Sequence, residues 1–186
     1  MQELDGTIGG DFTEASVPPD VDAALPAWRY RLAVVQHYRG VYRVARALLG
    51  DASEAEDVVQ EAFVRYWQQG SAVRRPREWL TKVARNACFD RLRRTRRLVS
   101  DSDVEVAETS DDRDPTWHYR QNELAAQLQR ALDELPEPQR SLVVLFDVQG
   151  LSGEECARIV GINVNQVKVY LHRARKKLRL HLEQSS

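Results

Sequence analysis

Apolar positions recur along this chain with the period of a helix. Val34, Tyr38, Val41, Ala45, Leu48 and Leu49 predict a first amphipathic helix over about 27–49, which Gly50 ends. "SEAE" at 53–56 has the Ser-x-x-Glu form of a capping box. A second helix is expected behind it, with Val58, Val59, Ala62, Phe63, Tyr66 and Trp67 on its apolar side. Gly70 to Pro76 reads as a loop. A third helix is expected from about 77 to 96, with Leu80, Val83, Ala84, Ala87 and Cys88 inward. Further on, Leu124, Leu128, Ala131, Leu132 and Leu135 outline a helix that stops before "LPEP", and residues 138–148 outline another. The run LVVLF at 142–146 suits a strand in isolation, but its helical neighbours argue for helix.

The segments between these elements set the expected architecture. Residues 1–25 carry Gly, Pro and acids without periodicity and read as a mobile tail. Residues 98–116 are polar and acidic and read as a flexible linker. The prediction is an all-α protein of two small helical domains, 26–97 and 117–183, the second a helix-turn-helix.

That second domain ends on "LSGEECARIVGINVNQVKVYLHRARKKL". Ser152 and Glu155 form a capping box that opens a short helix. Ala157 is small where two helices approach, and Gly161 suits the left-handed backbone of a turn. Asn163 is an expected N-cap for the next helix. Advancing that helix by about 100° per residue gathers Val164, Val167, Tyr170, Leu171, Ala174 and Leu178 on one side. Asn165, Lys168, Val169, His172, Arg173, Arg175, Lys176 and Arg179 gather on the other. A helix with one core face and one cationic face fits the DNA major groove, its cations on phosphates and its N-terminal side chains at base edges.

The total charge hides this asymmetry. Over 186 residues, 27 Lys and Arg balance 28 Asp and Glu, for a formal net charge of -1. Yet 91–97 is a run of arginines, 101–114 a run of acids, and 164–179 is basic with no acid at all. No apolar run has the roughly 20 residues of a membrane span, so no direct membrane insertion is expected. The acidic N-terminus lacks the apolar core of a secretory signal, which points to the cytoplasm. Cys88 and Cys156 stand apart with no metal-ligand spacing around them; both read as small buried residues, with neither metal nor other cofactor expected. Nucleophile, base and orienting group nowhere cluster, and there is no Gly-rich phosphate loop, so neither an enzyme nor a small-molecule substrate is expected.

The third helix is unusual on its outer side. Glu78, Lys82, Arg85, Asn86, Phe89 and Arg93 lie there, with Trp79 and Asp90 at the border and Arg74, Arg75 and Arg77 in the preceding loop. An aromatic ring among cations suits unstacked bases, the ring stacking and the cations following the backbone. Spacing equally allows Phe89 and Trp79 to cap a hydrophobic edge. The second helix has an acidic outer side, Glu54, Glu56, Asp57, Gln60 and Glu61, which suits solvent or a basic protein partner but not DNA.

Taken in order, "DASEAEDVVQEAFVRYW", "RPREWLTKVARNACFDRLRR" and "LDELPEPQRSLVVLFDVQGLSGEECARIVGINVNQVKVYLHRARKKLR" resemble the bacterial sigma factors of the extracytoplasmic-function group. The resemblance covers both predicted domains. It implies a subunit that binds core RNA polymerase, through the β′ clamp and the β subunit, and directs it to promoter DNA. By position, Asp57, Gln60 and Glu61 match the clamp-binding helix. Asn86 matches a residue that holds a flipped -10 base, and the loop at 71–77 matches one that helps capture it. With Arg74, Arg75, Lys82, Arg85, Phe89 and Arg93 they make the expected -10 surface. Lys168, Val169 and His172 match the -35 reading surface, with Asn165 and Lys176 beside them and Arg173 and Arg175 as phosphate-facing cations. The acidic linker matches a segment that threads near the active-site channel, and an anti-sigma partner is implied. Two departures stand out. Val169-Tyr170 replaces a common Ser-Arg, so a thymine methyl rather than a hydrogen bond is the expected contact at 169, and Cys156 stands where Ile is common. The competing reading is an autonomous helix-turn-helix regulator that binds duplex operator DNA without polymerase.

Overall fold

The computed structural model describes residues 25–101 and 117–184. These form α1 (Ala27–Leu49), α2 (Ala52–Gln69), α3 (Pro76–Asp101), α4 (Trp117–Asp133), α5 (Gln139–Val143), α6 (Gly153–Val160) and α7 (Val164–Gln184). No strand occurs among the described residues. The LVVLF run is helical: α5 passes directly into a π-helical stretch, Val144–Val148, closed by Gln149 N donating to Val144 O at 3.0 Å.

α1, α2 and α3 pack on one another around Val41, Val44, Leu48, Val58, Val59, Phe63, Tyr66, Leu80 and Ala84. The second layer of the core lies between α5, the π stretch, α6 and α7, with Leu142, Val144, Leu145, Ile159, Val167, Leu171 and Ala174 buried. Cys88 and Cys156 are both buried, and burial pushes their thiols up to about 12 and about 11.

Local chemistry differs from the sequence reading at several points. α2 is capped by Asp51, whose carboxylate accepts from Glu54 N at 2.7 Å, not by Ser53; the helix starts two residues earlier than the Ser-x-x-Glu motif suggested. α3 runs on to Asp101, so residues 98–101 are helical where a linker was expected; residues 102–116 and 1–24 lie outside the described residues. Leu25, assigned to the tail, is buried against Gly70, where a Cβ would lie 2.5 Å from the Leu25 Cβ. Trp67, assigned to the apolar side of α2, is 44% exposed, its ring edge-on to Tyr30 with 5.1 Å between centroids. Tyr38, Leu128 and Val164 are likewise exposed although helical phase placed them inward.

The two helical groups do not merely share a tether. α3 packs against α6, and α1 against the π stretch. Arg140, only 2% exposed, donates to the carbonyl of Leu48 at the C-terminus of α1 and pairs with Asp133. A guanidinium there satisfies a last-turn carbonyl that has no partner within its own helix.

Candidate nucleic-acid interface

The helix-turn-helix is built by its caps. Ser152 Oγ accepts from Glu155 N at 3.2 Å, and Glu155 returns a carboxylate to Ser152 N at 2.8 Å, so both halves of the capping box form. Those hydrogen bonds, with Ser152 N the largest contributor, hold the Glu155 carboxyl below its ordinary range. Gly161 takes φ +80°, a left-handed conformation that costs other residues energy, and reverses the chain. Asn163 Oδ1 then accepts from Asn165 N at 2.9 Å and starts α7.

Val167, Leu171 and Ala174 seat α7 in the core. Asn165, Lys168, Val169, His172, Arg173, Arg175 and Lys176 all reach solvent on its other side, as phase predicted. Arg175 is the exception in chemistry. Its Nε donates to Asp147 at 3.1 Å, its guanidinium lies 5.6 Å from the Phe146 ring centroid, and the Asp147 hydrogen bond raises its pKa. It is thus held against the π stretch, where a free phosphate-facing cation was expected.

The surface of α3 is divided. Arg74, Arg75, Lys82, Asn86 and Arg93 are exposed, Arg93 with a pairing to Asp90. Phe89 and Trp79 are half-buried against the core, Trp79 beside Tyr66 at 5.9 Å between centroids, so each packs on a hydrophobic edge and keeps part of its ring in solvent. Arg85 was expected to face solvent. It is 13% exposed and turned to the C-terminal group: Nε donates to Ser141 Oγ at 2.7 Å, the guanidinium pairs with Glu137, and Nη1 donates to Asn86 Oδ1 at 3.0 Å. It also lies over the Phe89 ring, 5.2 Å from the centroid. A cleft of about 320 Å³ results, with Asn86, Phe89 and Arg93 on one wall and Pro136, Glu137 and Arg140 on the other.

Glu78 was read as one more outward polar residue. Arg158 of α6 grips it with both Nε (2.8 Å) and Nη2 (2.9 Å), and Arg75 stands 3.6 Å away. The Arg158 hydrogen bond is the main cause holding the Glu78 carboxyl below its usual range. Arg77 and Glu155 are 3.6 Å apart at the same seam.

On α2, Asp57 and Gln60 are exposed and Glu61 half-exposed, Glu61 pairing with Arg65 at 2.6 Å. Asp57 stands 3.8 Å from Arg91. Val64 and Trp67 share this side and are exposed. Sequence reasoning missed both. Trp67 sits near the edge of the apolar arc, where phase alone does not decide the side.

Among the described residues, no three His, Cys, Asp or Glu side chains come together as a metal site, and no helix is long and apolar enough to cross a membrane.

Comparison with known proteins places the chain in a family. Residues 33–98 match Sigma-70 region 2, and residues 125–178 match Sigma-70, region 4. The chain is 36% identical to the ECF RNA polymerase sigma factor SigE of Mycolicibacterium smegmatis, over 100% of this chain and 77% of that one. It is 35% identical to the ECF RNA polymerase sigma factor SigL of Mycobacterium tuberculosis, over 87% and 93%. Its fold is similar to that of CnrH in complex with the cytosolic domain of CnrY (TM-score 0.64, 25% identity, 87% and 92% coverage). It is also similar to the sigma factor RpoE in complex with the anti-sigma factor NepR from Bartonella quintana (TM-score 0.66, 24% identity, 83% and 97% coverage). The chain belongs to the extracytoplasmic-function group of the sigma-70 family, the subunits that direct RNA polymerase to promoters.

Proposed function

We propose a division of labour among three helices of this sigma factor. α2 docks on the β′ clamp through Asp57, Gln60 and Glu61, with Val64 and Trp67 adding apolar contact. α3 takes the opened -10 strand: Asn86 and Phe89 receive a base, and Arg74, Arg75, Lys82 and Arg93 follow the backbone. α7 reads the -35 duplex, with Lys168, Val169 and His172 at base edges and Asn165, Arg173 and Lys176 on the backbone. The chain works in the cytoplasm beside the polymerase and contributes no catalytic group.

The observation that carries this reading is the single-sided α7, cationic outward and apolar inward, projecting from a fully capped helix-turn-helix in a chain that matches both sigma regions. Arg85 and Arg175 enter differently from the other cations. Each is engaged within the protein and contributes to DNA only after its present partner lets go. A protein inhibitor is part of the proposal, supported by the similarity of fold to a sigma factor held by an anti-sigma factor.

The division is tested with two variants and two probes. Asn86→Ala lowers opening of the -10 element, read by 2-aminopurine fluorescence in that element, while leaving -35 duplex binding intact. Lys168→Ala does the reverse. Equal loss in both assays for either variant overturns the assignment.

A further inference from the structure

The outer face of α1 has no role in the account above, and it is unusual. Trp28, Leu32 and Val35 recur at helical spacing yet are 67%, 47% and 81% exposed. Arg31, Arg39 and Arg43 continue the same side and are exposed. None of these three has an ion pair among the described residues, and α1 contains no acid at all. An uncovered row of large apolar side chains followed by uncompensated guanidinium groups is the pattern of a surface awaiting an acidic, partly apolar segment.

We propose that the segment is this chain's own residues 1–24, laid along α1. The composition matches. Glu3, Asp5, Asp11, Glu14, Asp20 and Asp22 are its charged side chains, with no Lys or Arg, and Leu4, Ile8, Phe12, Val17 and Val21 are interspersed. The connection matches as well. Buried Leu25 anchors the chain beside Gly70, so the segment is delivered at the N-terminal end of α1, next to Trp28. The helix has 23 residues, about 35 Å of rise at 1.5 Å each. Twenty-four extended residues reach roughly 80 Å, enough to turn back and follow the whole face. Attachment at one end raises the local concentration to about the millimolar range, so weak contacts suffice. Each exposed ion pair contributes little and is screened by salt, so the docking is salt-sensitive. It gives the apolar row a cover and keeps the arginines from binding nucleic acid indiscriminately.

A nitroxide tests this in the full chain. Cys88 and Cys156 are buried, so Ser16→Cys gives a single reactive thiol for the label. In the 15N-labelled protein, the proposal predicts several-fold broadening of amide signals across residues 28–43. It is reversed by 0.5 M salt and by the double substitution Arg39→Glu with Arg43→Glu. Unbroadened α1 signals overturn the proposal. Broadening centred on α7 overturns it in favour of the recognition helix as the site. Broadening of unlabelled-nitroxide 15N protein mixed with nitroxide-bearing 14N protein overturns it in favour of a second copy.

Discussion

Arg85 on α3 donates to Ser141 on α5 across the seam between the two helical groups, Nε to Oγ at 2.7 Å. The same guanidinium pairs with Glu137 and binds Asn86 Oδ1. Of the side chains expected on the -10 surface, Arg85 is thereby held by the C-terminal group, and Asn86 in turn accepts from Arg85. On the proposed assignment, a base received by Asn86 and Phe89 competes with Arg85, which bonds the one and lies over the ring of the other. Ser141→Ala with Glu137→Ala removes both acceptors that the C-terminal group offers Arg85. The double variant gives a larger radius of gyration in solution scattering and faster -10 opening on the holoenzyme. An unchanged radius of gyration counts against the contact as a closing device.

Acid acts on the same seam through Glu78. Its carboxyl lies below the ordinary value of 4.5, mainly because Arg158 donates to it. A carboxyl depressed by folding adds stability above its unfolded pKa, and the contribution is lost as pH falls through the folded value. The Glu78 contribution to docking of α6 on α3 is therefore present from neutral pH down through the ordinary glutamate range and is lost, weakening the docking, as pH falls through the depressed folded value. Interdomain cross-relaxation in NMR spectra collected from pH 6 to pH 3 reads this directly. Glu78→Gln weakens the docking at neutral pH and flattens its pH dependence.

Within the helix-turn-helix, Ser152→Ala removes one half of a complete capping box. The expected loss is about 1 kcal/mol of stability, measured by urea unfolding. Leu142→Ala opens a cavity in the fully buried centre of the same domain and costs about 2–5 kcal/mol.

The exposed side of α7 separates two kinds of contact. Lys176→Ala weakens binding to every duplex alike and lowers the slope of log K against log salt by about 1. Lys168→Ala relaxes preference at one base step, a discrimination of about 1–3 kcal/mol. Arg175→Ala has a smaller effect on DNA than either, because Asp147 already holds that guanidinium. Fluorescence anisotropy over a salt series distinguishes the three.

Helix caps and apolar phase are local, and so the helix-turn-helix was legible from sequence down to Ser152, Gly161 and Asn163. Asn165, Lys168, His172, Arg173, Arg175 and Lys176 of α7 fall on its exposed side, with Val169 among them, for the same reason. Relations between domains are not local. Periodicity places Glu78 and Arg85 on the outer side of α3, but it carries no information that Arg158, Glu137 and Ser141 meet them there. Arg175 failed similarly, since Asp147 is 28 residues away in sequence. Trp67 was misplaced because a large ring at the border of an apolar arc reads as core, while it is exposed and packs in a T-shaped pair with Tyr30. At the start of α2, Asp51 and Ser53 are both competent caps, and the Ser-x-x-Glu motif drew the boundary toward the wrong one.

The central claim is that this chain directs polymerase through an acidic docking face on α2. Asp57 is exposed, so Asp57→Arg leaves the fold intact by circular dichroism. The most direct measurement is in vitro transcription by bacterial core polymerase on upstream fragments of its own genome, with wild-type protein and with Asp57→Arg. Discrete start sites sharing two spaced motifs with wild-type protein, lost with Asp57→Arg, are the predicted result. No wild-type stimulation, with tight duplex binding by the protein alone, would contradict the account and point to an autonomous regulator.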